Sequence, residues 1–164
     1  KRQLFIVGIF FLSIKLNSLF LQITIFTLAH SVTLAMASRG LVNISPSLVE
    51  PLIAASIVYV AIENFYSKAI NLRRSLVVFI FGLLHGLGFA SVLAEFGLPV
   101  QQFIPALIGF NIGVELGQLS VVFILFIGIG YWFNKKNWYR KFITLPISGA
   151  VGLIGSYWFF ERII

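Results

Sequence analysis

The chain contains no cysteine and no aspartate, and charged residues make up only 10% of its 164 residues. Without cysteine, disulfides, thiolate metal ligands and thiol nucleophiles are excluded. All five acidic residues are glutamates, and only two histidines are present. Any metal site must therefore use imidazole, carboxylate or amide groups, which favour nickel, zinc, cobalt, iron or manganese over copper(I).

Apolar residues take the place of the missing polar ones: they make up 59% of the chain, and the mean hydropathy is +1.01. Such an excess is expected where the outer surface faces lipid rather than water. The net charge of +7 resides in short gaps between apolar runs, which is typical of membrane loops and not of a nucleic-acid surface. We therefore predict an all-α polytopic transmembrane helix bundle, a single domain over residues 1–164, that contacts the lipid bilayer and binds no nucleic acid.

Six apolar segments predict about six helical segments. They are Leu4–Ile14, Ser18–Ser38, Pro46–Tyr66, Ser75–Phe96, Phe103–Phe133 and Phe142–Phe160. The first is about half the ~20 residues that a crossing needs, so we expect the first helix to be incomplete. Ser45 as N-cap and Pro46 at the first helical position predict the start of the third.

The basic residues predict the orientation. With alternating crossings, eight of them fall on one side and four on the other. The eight are Lys15, Lys68, Arg73, Arg74, Lys135, Lys136, Arg140 and Lys141, and the four are Lys1, Arg2, Arg39 and Arg162. Because the excess of Lys and Arg marks the cytoplasmic side, the loops after the third and fifth segments are predicted to be cytoplasmic.

The fifth segment has a polar face and a small-residue face. Asn111, Glu115 and Gln118 lie on one side of a helix because their spacing is four and three residues. The opposite side carries Gly109, Gly113 and Gly117. Small residues at this spacing let a neighbouring helix approach closely. We therefore predict that this helix is central, with its glycine face against another helix backbone.

Four ionisable groups fall in four different apolar segments: His30, Glu63, His85 and Glu115. Each is costly at membrane depth unless it has a partner or a function. We expect His30, His85 and Glu115 to face one interior cavity and, with Glu63 nearer the cytoplasm, to bind a divalent metal ion, nickel or zinc. A neutral imidazole can bind a metal ion through one nitrogen while the other donates a hydrogen bond. The supporting polar residues are Asn111, Gln118, Ser31, Thr27, Asn64 and Tyr59, with Ser56 also on the face of Glu63.

Structural interpretations of the same residues remain open. The histidines can simply be hydrogen-bonded, and Glu115 can be a protonated member of an interhelical network. Glu50 can complement the dipole at the start of its helix. Glu161 beside Arg162 is expected to be a solvated pair.

Four strings resemble the HupE/UreJ family of bacterial membrane proteins. They are FTLAHSVTLA (26–35), VEPLIAASIVYVAIEN (49–64), FGLLHGLGFASVLAEFGLP (81–99) and IGFNIGVELGQL (108–119). The resemblance implies a multi-pass protein of the bacterial inner membrane, with a nickel-uptake or hydrogenase or urease accessory role. It also implies that His30, Glu63, His85 and Glu115 are the family's intramembrane polar positions. Members usually carry an Asp-His pair in an opening helix, and this chain, beginning Lys1-Arg2-Gln3, has no such pair.

Three functions fit these features. The first is a divalent-metal permease or metallocentre accessory protein. The second is an intramembrane metal-dependent hydrolase, in which imidazole and carboxylate ligands hold a metal-bound water; no residue is identified as its nucleophile or base, so enzymatic activity is left open. The third is a non-catalytic subunit of a larger membrane complex, or a homo-oligomer. A polar path to both surfaces favours transport, and a large apolar interface favours the subunit.

Overall fold

The computed structural model describes residues 2–12, 16–66, 72–95, 103–133, 136 and 138–164, with side chains except at 2, 12, 72, 90–95, 103 and 104. All regular secondary structure in these ranges is helical. The helices are α1 (Arg2–Leu12), α2 (Leu16–Ser38), α3 (Pro46–Tyr66), α4 (Leu72–Glu95), α5 (Phe103–Leu125), α6 (Tyr131–Phe133) and α7 (Leu145–Ile163). One π-helical segment, Phe126–Gly130, joins α5 to α6, and another, Arg140–Thr144, leads into α7. The prediction of an all-α protein is confirmed.

Four of the described helices are long and apolar enough to cross a membrane. They are Leu16–Ser38, Pro46–Tyr66, Pro105–Phe133 and Arg140–Ile163. The helix α4 has 24 residues, and its crossing remains a prediction. The helix α1 has 11 residues, which is too short for a crossing.

The helices α2 and α4 pack closely because two glycines of α4 face the α2 backbone. A Cβ atom placed on Gly82 would lie 2.7 Å from the Phe26 carbonyl oxygen, and one on Gly86 would overlap the His30 carbonyl oxygen. The Thr33 hydroxyl donates a hydrogen bond of 2.7 Å to the Leu83 carbonyl. The contacting positions rise in residue number along both helices, from Phe26 with Gly82 to His30 with Gly86. The helices α2 and α4 therefore run parallel.

The helices α3 and α7 form a second pair, which is antiparallel. Here Gly155 faces Ile57, and Gly152 faces Ala61; Cβ atoms placed on these two glycines would lie 3.1 and 3.2 Å from the facing side chains. Small residues again allow the close approach.

Polar contacts join this pair at both ends. Arg162 of α7 pairs with Glu50 of α3 at 2.8 Å. At the other end Arg140 donates to the carbonyl oxygens of Asn64 and Phe65, at 3.1 and 3.0 Å. The expectation that Arg162 forms a solvated pair with Glu161 is therefore wrong: the arginine reaches across to Glu50, near the start of α3.

The centre of the bundle is occupied by α1. Its large side chains are fully buried: Phe5, Ile6, Ile9 and Phe10. They meet residues of α2, α3, α4, α5 and α7 in one hydrophobic core. On another side of α1, Gly8 lies against Val60 of α3.

The prediction that the fifth segment is central is wrong. Within an apolar 18-residue stretch of each helix, only 11% of the residues are buried in Pro105–Phe133, against 44% in Leu16–Ser38 and 50% in Pro46–Tyr66. Nothing lies within 4 Å of Cβ positions on its glycines, Gly109, Gly113 and Gly117. The bulky side chains of α1 fill the centre, and the close helix contacts use glycines of α4 and α7 instead. A small-residue stripe permits a close neighbour but does not specify one.

Candidate functional site

Both histidines are buried, with 0% exposure at His30 and 2% at His85. The Nδ1 atom of His85 lies 2.8 Å from the Phe81 carbonyl oxygen. Because a carbonyl oxygen can only accept, we assign the proton to Nδ1, which then donates this hydrogen bond. In the neutral ring, Nε2 carries the lone pair, so His85 has the chemistry of a nitrogen donor.

Phenylalanine rings surround the two imidazoles. The His85 ring centroid lies 5.4 Å from that of Phe5 and 5.1 Å from that of Phe26. The His30 ring is stacked on Phe26 at 6.2 Å and on Phe110 at 6.4 Å. Phe26 therefore contacts both imidazoles.

The polar face of α5 meets hydroxyl groups of α2. The Thr27 hydroxyl donates to Gln118 Oε1 at 3.3 Å, and the Thr24 hydroxyl lies 3.5 Å from Glu115 Oε1 as a weaker donor. Together, Thr24, Thr27, Glu115 and Gln118 form what we call the α2–α5 polar lane. Sequence reasoning missed Thr24, although its spacing of three residues from Thr27 places both on one side of α2.

Two further predicted supporting residues bond within their own helices. The Ser31 hydroxyl donates to the Thr27 carbonyl at 2.6 Å. The Asn111 amide donates to the Leu107 carbonyl at 2.9 Å. The Ser31 hydroxyl and the Asn111 amide nitrogen thus donate to nearby backbone, while the Asn111 amide oxygen has no hydrogen-bond partner among the described residues.

A cavity of about 360 Å³ lies between α1 and α5. Its lining residues are Gln3, Phe110, Gly113, Val114, Gly117 and Gln118. The Gln118 amide nitrogen has no hydrogen-bond partner among the described residues. The cavity therefore reaches the polar lane at Gln118, while the histidines lie among the phenylalanine rings.

Glu63 forms an ion pair with Arg74, at 2.5 Å between Oε2 and the guanidinium. Arg74 is only 1% exposed, and Glu63 is 18% exposed. The residues expected to support Glu63 have other contacts: Ser56 donates to the Ile53 carbonyl at 2.7 Å, and the Tyr59 ring packs edge-on against Phe81. Sequence reasoning counted Arg74 among the loop cations and missed this pair across the α3–α4 connection.

Asn64 joins three helices away from the polar lane. Its buried amide donates to the Gly8 carbonyl of α1 at 2.8 Å and to the Ser148 hydroxyl of α7 at 2.9 Å. These contacts assign Asn64 a packing role at the end of α3.

Within the described part of the chain, no group of three or more histidine or acidic side chains is placed to hold a metal ion. The predicted metal ligands have different neighbours. Glu115 lies near the Thr24 hydroxyl, Glu63 is paired with Arg74, and each histidine packs against phenylalanine rings. This arrangement does not fit a resident metal centre with three such ligands.

Comparison with curated proteins gave no match, and comparison with solved structures gave none. A family model described as HupE / UreJ protein matches residues 2–162. The matched range contains the two histidines, Glu63 and the α2–α5 polar lane. Because the match extends over nearly the whole chain, this protein belongs to the HupE/UreJ family.

Proposed function

We propose that the protein is a divalent-metal permease or metallocentre accessory protein of the bacterial inner membrane, with nickel as the first candidate ion and zinc as the second. Membership of the HupE/UreJ family supports the general role. Four helices able to cross a membrane support the location. The α2–α5 polar lane supports the movement of an ion within the bundle.

The α2–α5 polar lane is the main support for this proposal, because it places side-chain oxygens that could bind an ion close together in two apolar helices. Glu115 is partly buried and supplies a negative charge, and Thr24, Thr27 and Gln118 supply neutral oxygens near it. A transported ion must be bound well enough to enter and weakly enough to leave. One carboxylate with neutral oxygens meets both conditions better than a closed cage of charged ligands.

The remaining ionisable groups fit around this lane. His30 packs against Phe110 of α5, and an imidazole nitrogen suits nickel or zinc better than magnesium or calcium. Glu63 lies at the predicted cytoplasmic end, where Arg74 neutralises it. In this proposal an ion leaving toward the cytoplasm meets Glu63 only when that pair separates.

Uptake by the full-length protein in liposomes tests the proposal. The vesicles contain a nickel-sensitive dye, and nickel is added outside. We expect Glu115→Gln to slow uptake about tenfold or more, because a neutral amide removes the only negative charge of the lane. The matched control is Ser120→Ala on the same helix, since Ser120 is exposed and bonds only to the Leu116 carbonyl; it should transport as the parent does.

Two results would contradict the permease role. One is uptake of nickel, cobalt and zinc no faster than in protein-free vesicles. The other is equal uptake by the Glu115→Gln variant and the parent. Nickel binding without uptake would favour the accessory role.

The open glycine face of α5 favours a second candidate, a subunit of a larger membrane complex or a homo-oligomer. Its backbone is accessible at Gly109, Gly113 and Gly117, as is suitable for a close helix contact. Absence of both uptake and binding in the assay above would favour this candidate over the first.

A further inference from the structure

Exposed aromatic rings and lysines lie in the part of the chain between α5 and α7, at the end of the bundle that also contains the Glu63–Arg74 pair. The residues are Tyr131, Trp132, Lys136, Trp138, Lys141 and Phe142, and we call them the aromatic–basic cluster. Tyr131 and Trp132 are each 65% exposed, and Phe142 is 66% exposed. Such rings are enriched at the level of lipid headgroups.

Local contacts give the cluster a defined shape. The Lys136 amide donates to the Phe133 carbonyl at 3.0 Å, and the Tyr139 amide donates to the Lys136 carbonyl at 3.0 Å. The Phe133 and Trp138 rings are 5.5 Å apart. The Lys141 ammonium lies 5.7 Å from the centroid of the Phe142 ring. The Lys141 ammonium thus lies beside an exposed ring, and the backbone of Lys136 is held between Phe133 and Tyr139.

Among the described residues, no carboxylate balances the positive charge of the cluster. The sequence has no acidic residue between Glu115 and Glu161. At this end of the described bundle, the Glu63 carboxylate is paired with Arg74. Within the described ranges, neither Lys136 nor Lys141 pairs with a carboxylate.

Neighbouring Arg140 contacts the protein backbone and is not counted in the aromatic–basic cluster. Its guanidinium donates to the carbonyl oxygens of Asn64 and Phe65 at the end of α3. This anchors the start of the π-helical segment to another helix. The lysines on either side of it therefore project from a fixed base.

We propose that the aromatic–basic cluster binds the headgroup of an anionic phospholipid. The lysines complement the headgroup charge, and the exposed rings cover the adjacent glycerol and upper acyl region. A zwitterionic lipid has no net charge for the lysines, and free phosphate has no apolar part for the rings. The predicted cytoplasmic position agrees, because basic segments beside the cytoplasmic ends of membrane helices are attracted to anionic lipid headgroups. This site is separate from the proposed metal path and does not depend on it.

Tryptophan quenching in the full chain tests the proposal. The three tryptophans are Trp132, Trp138 and Trp158, so Trp158→Phe leaves only those of the cluster. This variant is reconstituted with brominated phosphatidylglycerol or brominated phosphatidylcholine, which quench on contact. We expect the phosphatidylglycerol to quench at a lower mole fraction. Each lysine is expected to contribute about fivefold to that preference, so Lys136→Gln with Lys141→Gln should lower it about 25-fold.

Matched variants separate specific from general effects. Arg39→Gln removes one positive charge from an exposed residue at the opposite end and should leave quenching unchanged. Lys136→Arg with Lys141→Arg should retain the preference. Should Trp158→Phe fail to fold, native mass spectrometry of the parent and of the double glutamine variant counts bound phosphatidylglycerol instead.

Three outcomes would overturn the proposal. Equal quenching by brominated phosphatidylglycerol and brominated phosphatidylcholine would show that the rings contact lipid without recognising its headgroup. An unchanged preference in the double glutamine variant would assign recognition elsewhere. Displacement of the lipid by inorganic phosphate at moderate concentration would indicate a site for a free anion.

Discussion

The contact between α2 and α4 is expected to be sensitive to a single methyl group at Gly86. An added Cβ would overlap the His30 carbonyl oxygen and the Thr33 hydroxyl. The first group is backbone and cannot rotate away, and movement of the second breaks its hydrogen bond of 2.7 Å to the Leu83 carbonyl. The substitution Gly86→Ala therefore forces the two helices apart by about 1 Å to restore ordinary van der Waals contact.

The cost follows from three terms. Overpacking of a tight contact costs about 1–3 kcal/mol, and loss of the Thr33–Leu83 hydrogen bond adds about 0.6 kcal/mol in a membrane. Alanine's better helix propensity offsets at most about 1 kcal/mol. We expect Gly86→Ala to lower the free energy of unfolding by about 1–3 kcal/mol.

The matched control is Gly113→Ala. Nothing lies within 4 Å of a Cβ atom at Gly113, so the substitution changes only the helix propensity, which is higher for alanine than for glycine. The free energy of unfolding should therefore be unchanged or slightly higher. Both variants can be unfolded by titration with SDS in mixed micelles, with circular dichroism as the signal. Equal midpoints for Gly86→Ala and Gly113→Ala would refute the close α2–α4 contact.

Two further substitutions test groups outside the polar lane. Asn64→Ala leaves the Gly8 carbonyl and the Ser148 hydroxyl without their partner, so it should cost about 1–3 kcal/mol, more than Ser148→Ala in the same titration; a smaller cost than that of Ser148→Ala would contradict the three-helix role. Burial raises the pKa of Tyr139 to about 12. The folded protein then holds this proton more tightly than the unfolded chain does, so stability should fall as the pH rises from about 10, the ordinary tyrosine value, to 12. Tyr139→Phe should abolish this part of the fall and remove the last step of the tyrosinate absorbance titration; an unchanged last step would assign it to another tyrosine.

Helix positions were predictable from the sequence because they depend on local patterns. Ser45 and Pro46 marked the start of α3, and its observed range, Pro46–Tyr66, equals the predicted one. The predicted end of the fifth segment at Phe133 coincides with the end of α6. The sequence contained no signal for the π-helical segment at Phe126–Gly130. All five residues are apolar or glycine, so a change in the number of residues per turn does not alter the hydrophobic pattern.

Neighbours in space were much harder to predict. The spacing of Asn111, Glu115 and Gln118 correctly placed them on one face of α5, but helical periodicity does not say which helix that face meets. The short segment at the start of the chain gave no sign that Phe5 and Phe10 would fill the core. Both ion pairs, Glu63–Arg74 and Glu50–Arg162, join residues whose separate helix positions were visible but whose contact depends on the whole bundle.

The polar contacts at both ends of the α3–α7 pair restrict how this protein can change shape. A slide of one helix along the other by a single turn, about 5.4 Å, would break the Glu50–Arg162 pair and the Arg140 contacts together. It would also move Gly152 and Gly155 off Ala61 and Ile57. Sliding of α3 along α7 is therefore opposed by contacts at both ends and in the middle. For the proposed permease, we expect that access to the two membrane faces alternates by movement of the α2–α4 pair relative to the α3–α7 pair.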